Sequence, residues 1–303
     1  GRIPKLVKDG FKGTIISTAP TRDMGELIML DSVNLLGKEA VQAGMPSLYE
    51  EKDVLESMHL WTKTLEYEEH FVFPTDEGDA VITFHDAGHI LGSAIIEIAY
   101  KGKKLAFTGD LGNTPSPLMR DTTPLKDIDY LVMESVYGDR NHKDKDQRIE
   151  IFKEAVTTTI AKGGTVLIPA FSIERTQEML LAFNELVEGK MIPEIPVYLN
   201  SPLGINITKV YKKYEHWFNE NIESVIKSGD DIFAFKGLIK TPTPEESKAI
   251  NNDHRPKVII AGRGMSNGGR IVHHEERYLP DPNSTIIVVG YQAVNTLGRH
   301  IVD

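Results

Sequence analysis

The period of the apolar positions changes several times along the chain. In "GRIPKLVKDGFKG" Ile3, Leu6 and Val7 recur at helical spacing and Gly10 supplies a stop, which predicts the tail of an amphipathic helix. "TIIST" reads as a strand and "RDMGELIMLDSVNLL" as a helix. "SLYE" at 47–50 has the spacing of a capping box, with Ser47 capping the helix amides and Glu50 reaching back. From 80 to 108 the period shortens to that of strands: "AVITF", "SAIIEIAY" and "KLAFTG", the last two joined as a hairpin across "KGK". Beyond 129 the strands "YLVME", "TVLIPAF", "PVYLN", "KVIIAG" and "TIIVVG" alternate with helical segments, which predicts a mostly parallel sheet flanked by helices. Among those helices, "RTQEMLLAFNELV" sets Met179, Leu180, Phe183, Leu186 and Val187 on one face. "TPTPEESKAINN" opens with Thr243 as cap, Pro244 in the first turn and Glu246 completing a capping box.

Composition narrows the picture. A chain of 303 residues suits two domains, and the polar, charged stretch "GDRNHKDKDQ" at 138–147 is where the seam is expected. There is no cysteine, so thiolate sites and disulfides are excluded and any metal must sit on His, Asp or Glu. No run approaches the roughly 18 apolar residues of a membrane span, and no signal peptide is visible at the start, which leads to the expectation of a cytoplasmic protein with no membrane partner. The net charge of −10 means that nucleic-acid binding would need a local basic cluster. Carboxylates that carry metal ions are themselves a source of such acidity.

In open α/β sheets chemistry gathers at the carboxyl ends of strands, and polar, glycine-rich signals recur there. Asp110, between Gly109 and Gly112, suits either a metal ligand or a turn aspartate capping its own loop. Its metal reading strengthens beside His89, which also follows a strand, because imidazole plus carboxylate makes an ordinary divalent site. His85 ends a strand and lacks the H-E-x-x-H context of a zinc helix, so it is not expected to be a ligand. Glu134, closing "YLVME", is a candidate acid/base, a carboxylate that orients a histidine, or an exposed strand end. "AGRGMSNGGR" at 261–270 could cradle a phosphate at a helix start with Arg270 beside it; a structural turn is the alternative, and neither the Walker pair nor G-x-G-x-x-G is present. His273 and His274 point about 100° apart on a helix, so one of them, taken as His274, is expected to face a cleft and the other the surface. Arg175 and Ser201 stand at strand ends as further phosphate contacts, with a solvated charge and helix capping as the alternatives.

Taken in order, "AGHILGSA", "TGDLG", "ESVYGDRNH", "IPAFSIERTQE", "NSPL", "GMSNGGRIVHH" and "VGYQAVNTLGR" resemble the β-CASP ribonucleases of the metallo-β-lactamase superfamily. The likeness is strongest to the bacterial and archaeal relatives of the cleavage and polyadenylation endonuclease. It implies an α/β fold: a partial metallo-β-lactamase αββα sandwich over residues 1–138 and an inserted β-CASP domain, built on a mostly parallel sheet, over residues 139–303. It also implies a zinc-dependent ribonuclease with two zinc ions and an RNA substrate; homodimer formation stays open. His89 would ligate zinc, Asp110 would bridge the two ions, and Glu134 would orient a catalytic histidine. Arg270, Ser201, Arg175 and His274 would contact substrate in the cleft between the domains. The family's H-x-H-x-D-H signature would precede "GRIPKLVKDGF", and its last histidines would follow "GYQAVNTLGR". The 303 residues alone are therefore expected to lack most metal ligands and to be inactive. The alternatives are a non-catalytic subunit that binds RNA or a nuclease, and a DNA-repair nuclease of the same superfamily.

Overall fold

The computed structural model describes residues 1–139 and 147–303. Of the stretch in which the sequence places the seam, 140–146 lie outside the described residues. The chain forms two compact units, Gly1–Asp139 with Val210–Glu223, and Arg140–Lys209 with Ser224–Asp303.

In the first unit α1 (Ile3–Lys8), β1 (Ile16–Ser17), α2 (Ala19–Ala43), α3 (Glu51–Leu60) and β2 (Lys63–Thr64) precede a sheet. That sheet runs β3 (His70–Thr75), β4 (Gly78–Asp86), β5 (Ala94–Tyr100), β6 (Lys103–Phe107) and β7 (Tyr130–Val132), in that spatial order. Each neighbouring pair is antiparallel except β6 and β7, which are parallel. The predicted hairpin across "KGK" is β5–β6. Helix α2 starts earlier than its apolar period suggests, because Thr18 accepts from the Thr21 amide and caps it. Met29, Tyr49, Val54 and Trp61 form the core between the helices, while Ala87, Ile95 and Ala106 anchor the sheet under Leu111, Leu125 and Ile128. On the edge strand β7, Tyr130, Leu131 and Val132 are all exposed, as is the following Met133.

The capping box read at 47–50 is displaced by three residues. The Ser47 hydroxyl donates to the Tyr49 carbonyl, which consumes it in a local turn. Helix α3 is capped instead by Glu50, with Asp53 accepting from the Glu50 amide at 2.8 Å. Tyr49, fully buried, fixes the chain just ahead of that cap.

In the second unit α4 (Arg148–Ala161), β8 (Thr165–Pro169), α5 (Arg175–Glu188), β9 (Val197–Asn200), α6 (Pro202–Lys213) and α7 (Glu220–Lys227) come first. β10 (Leu238–Lys240), α8 (Pro244–Ala249), β11 (Lys257–Ala261), α9 (Arg270–Tyr278), β12 (Thr285–Ile286) and α10 (Leu297–Val302) follow. The ends of α6 and α7 that adjoin each other belong to the segment of the first unit. The sheet order is β10-β9-β11-β8-β12, all parallel. β8, β9 and β11 are buried at every position, which explains their continuous apolar runs. The Thr243–Glu246 box forms as predicted. On α5 the buried face is Leu180, Leu181, Phe183 and Leu186, joined by Thr176, Gln177 and Asn184. The Gln177 amide donates to Thr208 at 2.9 Å, so polar residues share a face that apolar counting alone would not assign to them.

Candidate functional site

His89 sits on the connection from β4 to β5, and nearly every polar group of that loop is tied down. Asp86 accepts from the Gly88 amide at 2.8 Å, and the Ser93 hydroxyl accepts from the amides of His89 and Ile90. Tyr67 donates to the Ser93 carbonyl at 2.7 Å, and the hydroxyls of Thr18 and Thr21 donate to the Gly92 carbonyl. Ala87 and Leu91 are buried on either side of the histidine. Anchored at both ends, the loop holds the His89 imidazole outward, 40% exposed.

Asp110 follows β6 on a second loop pressed against the first. Gly112 donates to the Ala87 carbonyl at 2.8 Å, and the backbones meet so closely that a Cβ on Gly112 would stand 1.8 Å from the Gly88 oxygen. Gly88 itself has φ +64°, and a Cβ there would meet the Thr122 amide at 2.8 Å. Both glycines are required for this approach. It brings His89 Nε2 to 3.9 Å from Asp110 Oδ2. Glu134 closes the arrangement: one carboxylate oxygen accepts from the Leu111 amide at 2.9 Å and the other from the Val136 amide at 3.1 Å. In this structure it anchors the backbone next to Asp110. Among the described residues, no group of three or more His, Cys, Asp or Glu side chains stands close enough to hold a metal ion.

Burial pushes the Asp86 carboxyl up to about 6, opposed by the Gly88 amide and the Arg120 charge. His85 lies elsewhere on β4, with Nδ1 2.8 Å from Glu68 and Nε2 3.4 Å from Glu97. Both its nitrogens face carboxylates, and it does not join His89. The sequence singled out His89 and Asp110 but not Asp86, Tyr67 or Ser93, which shape the loop; the only local signal was the small-residue context "DAGHILGS".

In the second unit the candidate substrate contacts are engaged with their own fold. Arg270 donates to Asn200 Oδ1 at 2.9 Å and to the carbonyls of Thr241 and Pro242 at 2.7 and 2.8 Å. Ser201 accepts from the Gly204 amide at 3.0 Å and so caps α6. Arg175 pairs with Glu178 one turn along α5. His273 is exposed and His274 buried, as their angular separation requires. Asn200 donates to His274 Nε2 at 3.2 Å and to Ser247 at 2.9 Å, so this one asparagine ties β9 to α8 and α9. In the 261–270 loop, Ser266 donates to the buried Glu275 at 2.5 Å and Gln292 donates to the Gly264 carbonyl at 2.8 Å.

Burial, with the positive charge of His273, Arg270, Lys257 and Arg277 around it, lowers His274 to about 4. The unfolded chain titrates near the ordinary value of about 6.5. Between those two pH values the unfolded state binds the proton that the folded state refuses, so His274 contributes stability that is lost as pH falls from about 6.5 to about 4. Asp86, raised to about 6, acts with the opposite sign over much of that interval, so the diagnostic quantity is a difference between proteins. His274→Asn is expected to cost stability at pH 7 and progressively less towards pH 4.5, measured as urea midpoints. A difference that does not vary with pH would show that His274 titrates normally.

The model for the Beta-Casp domain matches residues 176–301. A ribonuclease of Thermus thermophilus is 33% identical over all of this chain and 67% of its own length. An RNase J-like protein of Methanocaldococcus jannaschii is 33% identical over 95% of the chain and 63% of its own. Transcription termination factor FttA of Methanosarcina mazei is 32% identical over 99% of the chain and 47% of its own. The chain thus spans between about half and two thirds of the length of these relatives.

Proposed function

The chain belongs to the β-CASP family of the metallo-β-lactamase superfamily, and from that premise we propose that the protein hydrolyses RNA phosphodiester bonds with zinc, in RNA processing or decay. The observation that carries this reading is the convergence of His89 and Asp110 on two loops locked together backbone to backbone. An exposed imidazole and carboxylate within 4 Å, in a chain without cysteine, fit a zinc site by donor chemistry. They make up two of the three or four protein ligands such a site needs. Zinc, when bound, supplies Lewis-acid chemistry, stabilising charge on phosphoryl oxygens and making water nucleophilic near neutral pH.

The chain's own residues divide the remaining work. His89 and Asp110 would bind the metal, with Asp110, the more exposed of the two, in the bridging role that the family resemblance implies. Asp86, Tyr67 and Ser93 orient the His89 loop. Glu134 is best read as the residue that positions the Asp110 loop, since both its oxygens already accept backbone amides. A second reading, a non-catalytic subunit that binds RNA or a nuclease, is favoured by one observation: no third donor joins His89 and Asp110 among the described residues.

The two readings separate on zinc content and on cleavage of matched end-labelled RNA and DNA strands, using both these 303 residues and a chain as long as the relatives it matches. The longer chain is expected to hold zinc and cut RNA in preference to DNA. With His89 and Asp110 as its two ligands, the 303-residue chain should hold zinc weakly and leave RNA intact. A longer chain that binds zinc but leaves RNA uncut would favour the non-catalytic subunit. Tight binding of two zinc ions by the 303 residues would mean that other side chains hold the metal, with His85, His273 and His274 the candidates.

A further inference from the structure

Three segments that follow neighbouring strands of the second unit's sheet meet around one exposed aromatic ring. The spatial order β11-β8-β12 sets Phe171, two residues past β8, between the turn after β11 and the segment after β12. A Cβ on Gly264 would stand 3.0 Å from Cδ2 and 3.1 Å from Cε2 of Phe171, and a Cβ on Gly290 would stand 3.5 Å from Cε2. The ring therefore rests on bare backbone from each flanking segment. Gln292 ties those two stretches together: its buried amide donates to the Gly264 carbonyl at 2.8 Å and to the Gly290 carbonyl at 3.2 Å. The Phe171 backbone is held as well, its carbonyl accepting from the Thr176 amide at 3.1 Å and the Thr176 hydroxyl at 2.8 Å.

This seat leaves Phe171 39% exposed. Tyr291, next to Gly290, is 52% exposed. Arg263, next to Gly264, is exposed too, and its stem runs along Gly269, where a Cβ would stand 2.9 Å from the arginine Cγ. Arg270 and Arg175 are engaged by their own fold. Among the described residues the Arg263 guanidinium makes no hydrogen bond or ion pair. Open aromatic rings beside an unpaired arginine are the elements by which proteins hold single-stranded nucleic acid: bases stack on the rings, and the guanidinium meets a phosphate. Their place at the carboxyl ends of parallel strands is where open α/β sheets bind ligands. A ring already fixed in place loses little freedom when a base covers it.

We propose that Phe171 and Tyr291 form a stacking platform for the bases of a single-stranded RNA, with Arg263 as its phosphate contact. That the strand is RNA rests on the ribonuclease reading above; the preference for a single strand rests on the rings and on Arg263.

The test measures binding of a short labelled RNA by fluorescence anisotropy, without added metal, as a single strand and as a duplex. Phe171→Leu keeps an apolar side chain on both glycines and removes the aromatic face, while Phe171→Trp keeps that face. The single strand is expected to bind more tightly than the duplex, whose bases are already stacked on one another. Phe171→Leu and Tyr291→Ala should each weaken it by about tenfold, and Phe171→Trp should not. Arg263→Ala should reduce the slope of affinity against salt by about 0.7, and Arg263→Lys should preserve it. Equal affinity for the wild type and Phe171→Leu, or duplex bound as tightly as single strand, would overturn the platform. In a chain as long as the relatives it matches, Phe171→Leu should also raise the KM for RNA cleavage. Cleavage with a KM indifferent to Phe171→Leu would overturn the platform and leave the nuclease reading standing. RNA binding that depends on Phe171, in a chain that never cuts RNA, would support the platform and sink the nuclease reading instead.

Discussion

Asp110→Asn is expected to abolish the proposed RNA cleavage while leaving the fold intact. The Asp110 side chain is 75% exposed, and among the described residues its ion-pair partner is His89, at 3.9 Å; asparagine preserves the turn it occupies. Removing its charge therefore costs little stability, since exposed ion pairs contribute about 0–1 kcal/mol. Its effect on a bound cation is of another order. Loss of an outer partner of a metal ligand already costs about 10–100-fold in metal affinity or activity, and loss of Asp110 in the metal-binding role proposed for it should exceed that, to about 10³-fold or more in cleavage rate. His89→Ala should behave alike. Cleavage rate at saturating zinc, zinc content and thermal midpoint measured on one preparation check this. A variant with normal stability and undiminished cleavage would remove Asp110 from the site.

How far the sequence reached depended on whether a feature is local. The Thr243 box, the β5–β6 hairpin and the all-buried parallel strands were legible because each is written within a few residues. Ser47 misled because S-x-x-E and E-x-x-D overlap at Glu50, and in the fold the Ser47 hydroxyl donates to the Tyr49 carbonyl, leaving Glu50 and Asp53 to cap α3. Strand β3 went unseen: it contains Pro74 and is almost wholly exposed, as suits an edge. β10, also an edge, is three residues long. At the site, His89 and Asp110 stood out by their place after strands. The Leu111–Glu134 bond and the Thr18 and Thr21 bonds to Gly92 did not, since each joins residues 23 to 74 positions apart. Arg270, singled out in the sequence as a substrate contact, donates in the fold to the carbonyls of Thr241 and Pro242, partners 29 and 28 positions away that the sequence does not announce.

The contact between Gly88 and Gly112 is the least legible of these features and has the largest expected consequence for folding. Gly112→Ala would place a methyl group 1.8 Å from the Gly88 oxygen, 2.2 Å from its carbonyl carbon and 2.9 Å from the His89 amide nitrogen. All three are backbone atoms, so no side chain can swing away. The His89 loop cannot retreat cheaply either, because Asp86, Ser93, Tyr67, Thr18 and Thr21 hold it from the other directions. The loops must therefore separate, breaking the Gly112–Ala87 hydrogen bond and straining that between Leu111 and Glu134. Overpacking alone costs about 1–3 kcal/mol, and a buried backbone bond lost with it adds about 1 kcal/mol. A destabilisation of about 3 kcal/mol should lower the first unit's melting midpoint by roughly 10 °C. Gly109→Ala is the informative comparison. A Cβ there meets nothing within 4 Å, and its cost is confined to the backbone strain of φ +57°, about 1 kcal/mol. Calorimetry of the two variants should rank Gly112→Ala as clearly the worse, and any zinc affinity should fall as His89 and Asp110 move apart. Equal melting points for the two variants would show that the loops are not locked together at Gly112.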